Sequence, residues 1–232
     1  MTRYIIISLY GIIILIFSCG SSNNLQIDPH DPSTPIGDNS AQSKGGIHGD
    51  PETAIFNILF VGNSLTYYND LPKLVYELAK TKEKYISTKM IAKPNYAIID
   101  HLDIGNEVNK EIESKQYDYV IVQQGPSSQN EGRRLLLEGG KRFEKLCNEN
   151  DSELVFFMVW PSLTYYQNFD GVIANYKEAA TLCNSLLAPV GSAWKQYFDD
   201  TKDFSYYGPD GFHPSLEGSK VTAQVILETL GI

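Results

Sequence analysis

Ile58-Leu59-Phe60-Val61-Gly62-Asn63-Ser64-Leu65-Thr66 decides how the rest of the chain is read. Four apolar residues in a row suit a strand covered on both faces, as in a parallel sheet. The Gly-Asn-Ser that follows suits a sharp turn out of that strand, with a hydroxyl at its tip. Outward from this point the pattern repeats. Strand-like runs at 55 to 61, 85 to 92, 117 to 123, 154 to 159 and, weakly, 187 to 190 are separated by helix-like segments at 70 to 81, 98 to 114, 130 to 149, 170 to 187, 191 to 199 and 215 to 230. Strands alternating with helices predict βαβ units. The fold class is therefore α/β, a three-layer α/β/α sandwich around a central, mostly parallel five-stranded sheet. The last helix carries Leu216, Val221, Val225, Ile226 and Leu230 as a core-facing stripe, with Pro214 at its entry.

Ligands of open α/β sheets gather at the carboxyl ends of the strands, where Ser64 sits. A serine hydroxyl needs an imidazole to take its proton, and the imidazole needs a carboxylate to orient it. The chain has four histidines, His30, His48, His101 and His213. The first two fall in a segment read as unstructured, and His101, in Ile98-Ile99-Asp100-His101-Leu102, reads as a partly buried helical residue. His213 remains. It stands in Gly208-Pro209-Asp210-Gly211-Phe212-His213-Pro214-Ser215, where Asp210 is near enough in the chain to hold its ring. The order Ser, Asp, His is that of the α/β-hydrolases, but their Gly-x-Ser-x-Gly elbow does not surround Ser64.

These two segments resemble the first and last blocks of the SGNH (GDSL-like) hydrolases, in the variant with Asn before the serine. The resemblance runs from about residue 54 to the end. It implies Ser64 as nucleophile, with Asp210 and His213 completing the triad, and a reaction on carboxylic esters without a cofactor. It also implies an oxyanion hole of three donors. The N–H of Ser64 is the first, and the second-block glycine position falls on Asn95, in Lys93-Pro94-Asn95-Tyr96. Asn tolerates positive φ better than other non-glycine residues. The third block, normally Gly-x-Asn-Asp, reads Gln123-Gln124-Gly125-Pro126-Ser127-Ser128, which makes Gln123 or Gln124 the substitute donor and Ser127 the fallback.

The amino terminus carries an address. Arg3 precedes an apolar stretch from Tyr4 to Phe17, shorter than the roughly 20 residues a membrane-spanning helix needs, so residues 1 to 18 read as a signal peptide. Ile16-Phe17-Ser18-Cys19-Gly20 resembles a bacterial lipobox, with Cys19 as the lipidated residue. Residues 19 to 52 are Gly-, Ser-, Asn-, Asp- and Pro-rich and read as a flexible tether. Residues 53 to 232 then form one catalytic domain, held at the bacterial cell envelope by a lipid anchor.

A formal charge of −9 argues against a nucleic-acid partner, whose affinity comes largely from Lys and Arg neutralising phosphates. No Cys/His spacing suggests a metal site and no glycine-rich loop a nucleotide. Cys147 and Cys183 read as buried thiols, with a disulfide left open. Among 15 tyrosines, Tyr67-Tyr68, Tyr165-Tyr166 and Tyr206-Tyr207 fall in loops near the expected site, together with Trp160. Aromatic faces suit sugar rings. The expectation is an O-acyl, chiefly O-acetyl, esterase acting on carbohydrate, a small-molecule or polysaccharide ester being its substrate partner. The alternatives are a catalytically silent glycan-binding surface lipoprotein and a lipid acyl-hydrolase.

Overall fold

The computed structural model describes residues 46–232. The signal-peptide reading, Cys19 and most of the tether lie outside these residues. In chain order the elements are β1 (Ile47–His48), β2 (Phe56–Gly62), α1 (Ser64–Tyr67), α2 (Leu71–Thr81), β3 (Ile86–Ala92), α3 (Ile98–Asp103), α4 (Glu107–Ser114), β4 (Tyr119–Val122), α5 (Asn130–Asn148), β5 (Glu153–Phe157), α6 (Phe169–Leu182), β6 (Leu186–Ala188), α7 (Val190–Thr201) and α8 (Leu216–Leu230). Short 3-10 turns occupy Tyr68–Asp70 and Leu163–Asn168.

The sheet order is β1-β3-β2-β4-β5-β6, and every pairing is parallel except that of β1 with β3. This is the expected α/β sandwich with six strands in place of five. The sixth is β1, from the stretch read as tether: Ile47 and His48 pair with Lys89 and Thr88 on the open edge of β3. A strand edge offers backbone donors and acceptors to any extended segment, so two residues of polar sequence suffice. The predicted helix over 98 to 114 is two helices. The break falls at Gly105 and Asn106, both at positive φ (80° and 56°), which no helix accommodates.

Ile58, Leu59, Phe60 and Val61 are all fully buried, so alternate side chains of β2 meet helices on both faces. On one side α2 packs on α8; elsewhere α3 meets α5 and α5 meets α6. The α5 contact depends on Gly139-Gly140, because a Cβ on Gly140 would sit 2.7 Å from Phe156 and one on Gly139 2.7 Å from Ile98. Trp160 and Trp194 stack at 3.6 Å in the core, and both are fully buried. Cys147 and Cys183 are buried and free, and burial pushes the Cys147 thiol up to about 12. No helix among the described residues is long and apolar enough to cross a membrane.

After β2 the chain pairs β3 on one side, then crosses to β4 on the other. That reversal makes the carboxyl end of β2 the topological switch point, the place where open α/β sheets take their ligands, and Gly62-Asn63-Ser64 leaves the strand there.

Candidate active site

The turn after β2 is held by hydrogen bonds on both sides of Ser64. A Cβ on Gly62 would lie 2.3 Å from Thr66 Oγ1 and 2.6 Å from Gln123 Oε1, so only glycine fits. The Gly62 carbonyl accepts from His101 Nε2 at 2.8 Å and from the Lys93 N–H at 3.0 Å. The Asn63 N–H donates to Gln123 Oε1 at 2.9 Å, and Thr66 Oγ1 donates to the same oxygen at 2.8 Å. The Asn63 side chain caps α1 by accepting from the Leu65 N–H at 3.2 Å, while its Nδ2 reaches the Tyr96 carbonyl at 3.1 Å. With its neighbours fixed in this way, Ser64 opens α1 and stays partly exposed.

Asp210 and His213 are paired. His213 Nδ1 donates to Asp210 Oδ2 at 2.6 Å, and Asp210 Oδ1 accepts from the backbone N–H groups of Phe212 and His213 at 2.9 Å each. Burial alone would push the Asp210 carboxyl up, but the donors from His213 and Phe212 outweigh it and hold the group below its ordinary value. It is therefore an anion fixed on the imidazole Nδ1, the tautomer that leaves Nε2 free to accept a proton. The loop is braced from below by Trp160 Nε1, which donates to the Phe212 carbonyl at 2.9 Å. From the side, Leu163 N–H meets the Gly211 carbonyl at 2.8 Å, and Tyr207 Oη donates to the Pro161 carbonyl at 2.7 Å.

The turn just after α1 joins the two halves. Tyr68 lies flat against the His213 ring, with centroids 4.3 Å apart and planes inclined by 15°. Asn69 Nδ2 donates to the Pro214 carbonyl at 3.1 Å and to Ser219 Oγ at 3.0 Å. The chain that follows Ser64 thus touches the Asp210–His213 loop at His213 itself and just after it, at Pro214.

Asn95 occupies the left-handed region at φ 61°, after Pro94 in the turn that Tyr96 N–H closes on the Lys93 carbonyl at 3.4 Å. This is the backbone conformation on which its candidacy as a donor rests. The two glutamines have other partners. Gln123, 1% exposed, gives Oε1 to the turn around Ser64 and an Nε2 hydrogen to the Gln124 carbonyl at 2.7 Å. Gln124 Nε2 donates to Ser127 Oγ at 2.8 Å and to the Gly132 carbonyl at 2.9 Å, which uses both of its hydrogens. Ser127, at φ 57°, turns its own hydroxyl to the Gly125 carbonyl at 2.9 Å. In this conformation Gln124 and Ser127 spend their side-chain hydrogens within the third block, and Gln123 spends one of its two there.

His101 is 2% exposed, and burial lowers it from 6.5 to about 4. Its part in holding Gly62 was not apparent from sequence, nor were the contacts of Tyr68, Asn69 and Thr66. The aromatic loops divide in the same way. Tyr207 is buried, Tyr206 stacks on Tyr197 at 4.2 Å, and Tyr166 Oη donates to Asp199 at 2.7 Å, while Trp160 presents no face to solvent. Among the described residues no group of three or more His, Cys, Asp or Glu could hold a metal ion. A polar cleft of about 450 Å³, lined in part by Asp118, Glu144, Glu153 and Cys183, lies at the amino ends of β4 and β5 and shares no residue with this site.

No protein-family model matches the chain, and no curated protein matches it. Solved structures do. An SGNH hydrolase from Slackia heliotrinireducens is 22% identical, with a TM-score of 0.66 over 76% of this chain and 99% of that one. An acetyl-xylooligosaccharide esterase from Geobacillus stearothermophilus is 17% identical, with a TM-score of 0.60 over 77% and 95%. A GDSL-like lipase from Parabacteroides merdae is 16% identical, with a TM-score of 0.58 over 77% and 96%. The chain shares their fold.

Proposed function

We propose that this protein is a serine esterase that removes O-acyl groups, chiefly O-acetyl, from carbohydrate esters. The observation that carries the reading is the Asp210–His213 pair at 2.6 Å, in a loop fastened by Asn69 and Tyr68 to the turn that bears Ser64. His213 Nε2 takes the Ser64 proton, and Oγ attacks the ester carbonyl. The resulting imidazolium is held by the Asp210 carboxylate. The backbone N–H groups of Ser64 and Asn95 receive the oxyanion, with Gln123 and Gln124 keeping the crevice in shape. His213 then gives its proton to the leaving alcohol, and the same ring activates water to free the acid from Ser64. No cofactor is required by these steps.

The acetyl and carbohydrate assignments draw on the likeness to an esterase of acetylated xylo-oligosaccharides and on the half-buried Tyr67, three residues after Ser64. Signal-peptide removal and lipidation at Cys19 would anchor the enzyme to the bacterial cell envelope, since diacyl attachment is lasting where one chain is not. The test is a substrate panel: acetylated oligosaccharides beside aryl esters of increasing acyl length, with purified protein. Highest kcat/KM on acetyl sugars supports the reading. A rate that climbs with chain length makes the protein a lipid acyl-hydrolase, and sugar binding without any turnover makes it a silent lectin-like relative.

A further inference from the structure

We infer that Tyr68 is the positioning residue for the proton-transferring ring, an aromatic plate that fixes the plane of the His213 imidazole. The inference rests on the reading of Ser64, Asp210 and His213 as a triad. Tyr68 is tied to the nucleophile first: its backbone N–H donates to the Ser64 carbonyl and closes α1. Its ring is tied to the base, stacked on His213 at 4.3 Å and 15°. Asn69, the next residue, adopts the left-handed conformation (φ 55°, ψ 18°) and sends its carboxamide to Pro214 and Ser219. One dipeptide therefore sets the distance between two segments that are remote in the chain.

Each contact on the imidazole removes a different freedom. The Nδ1–Asp210 bond fixes which ring nitrogen meets the carboxylate, but a hydrogen bond along the ring plane resists tilting poorly. The Tyr68 face resists tilting. Phe212, edge-on at 5.2 Å and 67°, closes another side. The stack has a second consequence. The imidazolium that exists while the serine is acylated lies over a π face, whose quadrupole favours a cation. Orientation and cation stabilisation act together on the chemical step and hardly at all on substrate binding. Removing the plate is expected to lower kcat roughly tenfold. The reading also takes one face of Tyr68 away from sugar recognition.

The experiment compares wild type, Tyr68→Phe, Tyr68→Leu and Ser64→Ala of the full chain, by aryl-ester kinetics and by NMR of the His213 ring protons. Expected are a kcat about tenfold lower for Tyr68→Leu with KM within about twofold, and most of the rate kept by Tyr68→Phe. The His213 ring protons should show an upfield ring-current displacement in wild type and Tyr68→Phe that disappears in Tyr68→Leu. Wild-type kcat in Tyr68→Leu, or no such displacement in the wild-type protein itself, overturns the inference. Turnover by Ser64→Ala overturns the triad instead, and the NMR arm still decides whether Tyr68 holds the ring.

Discussion

Acid should weaken this fold earlier than its carboxylates would, and His101 is the reason. The ring is buried on α3, and its Nε2 lies 2.8 Å from the Gly62 carbonyl. A carbonyl only accepts, so Nε2 carries the hydrogen; Nδ1 is buried with no partner. Burial lowers the group from 6.5 to about 4, helped by Lys93 and opposed by the Gly62 carbonyl, Asp100 and Glu107. The unfolded chain therefore binds a proton near pH 6.5 that the folded chain refuses until about pH 4. Within that window the unfolded state holds more protons, so stability falls as pH falls, and above it the group contributes no slope. At pH 4.5 the loss amounts to roughly 2 to 3 kcal/mol. The perturbation is His101→Gln, which keeps an N–H donor for Gly62 and does not titrate. Urea unfolding at pH 7.5 and 4.5 should show wild type losing roughly 2 to 3 kcal/mol more than the variant. Equal losses, to within about 0.5 kcal/mol, would mean that the ring is not the buried neutral group described.

Gln123→Met keeps the side chain's volume but strips the acceptor from the Asn63 N–H and the Thr66 hydroxyl; a cost of about 2 to 5 kcal/mol is expected in denaturant unfolding. Asp210→Asn should cut kcat by about 10³ to 10⁴ with little change in KM, because the amide cannot hold the imidazolium, and steady-state kinetics checks this. Gly62→Ala places a methyl 2.3 Å from Thr66 Oγ1 and must displace the turn; a kcat lower by about 100-fold is expected beside a lower melting temperature.

What could be read from the chain, and what could not, follows from the range of the forces involved. Continuous apolar runs such as Leu154 to Phe157 announce buried strands, because both faces must be covered. Asp210 and His213 could be paired from sequence because a loop this short leaves them adjacent. The break between α3 and α4 was hidden, since one glycine in an otherwise helical pattern is tolerated by composition alone. β1 was hidden for another reason: its pairing with Lys89 and Thr88 uses backbone only, and no side-chain pattern records it. Gln123 shows a third limit. A carboxamide both donates and accepts, and sequence suggested a donor into the crevice where the fold uses the oxygen to hold Asn63 and Thr66. Nothing local to Asn69 tells that its side chain reaches Pro214 and Ser219, because that contact exists only once α8 has packed on α2.

Covalent capture measures directly the proposed activation of the Ser64 hydroxyl by His213. Purified protein is treated with a fluorophosphonate, and the modified peptide is located by mass spectrometry while the rate of labelling is followed. A single adduct on Ser64, formed at least about 100-fold more slowly in His213→Ala, is the predicted result. An unmodified Ser64, or labelling at the same rate without the imidazole, would contradict it.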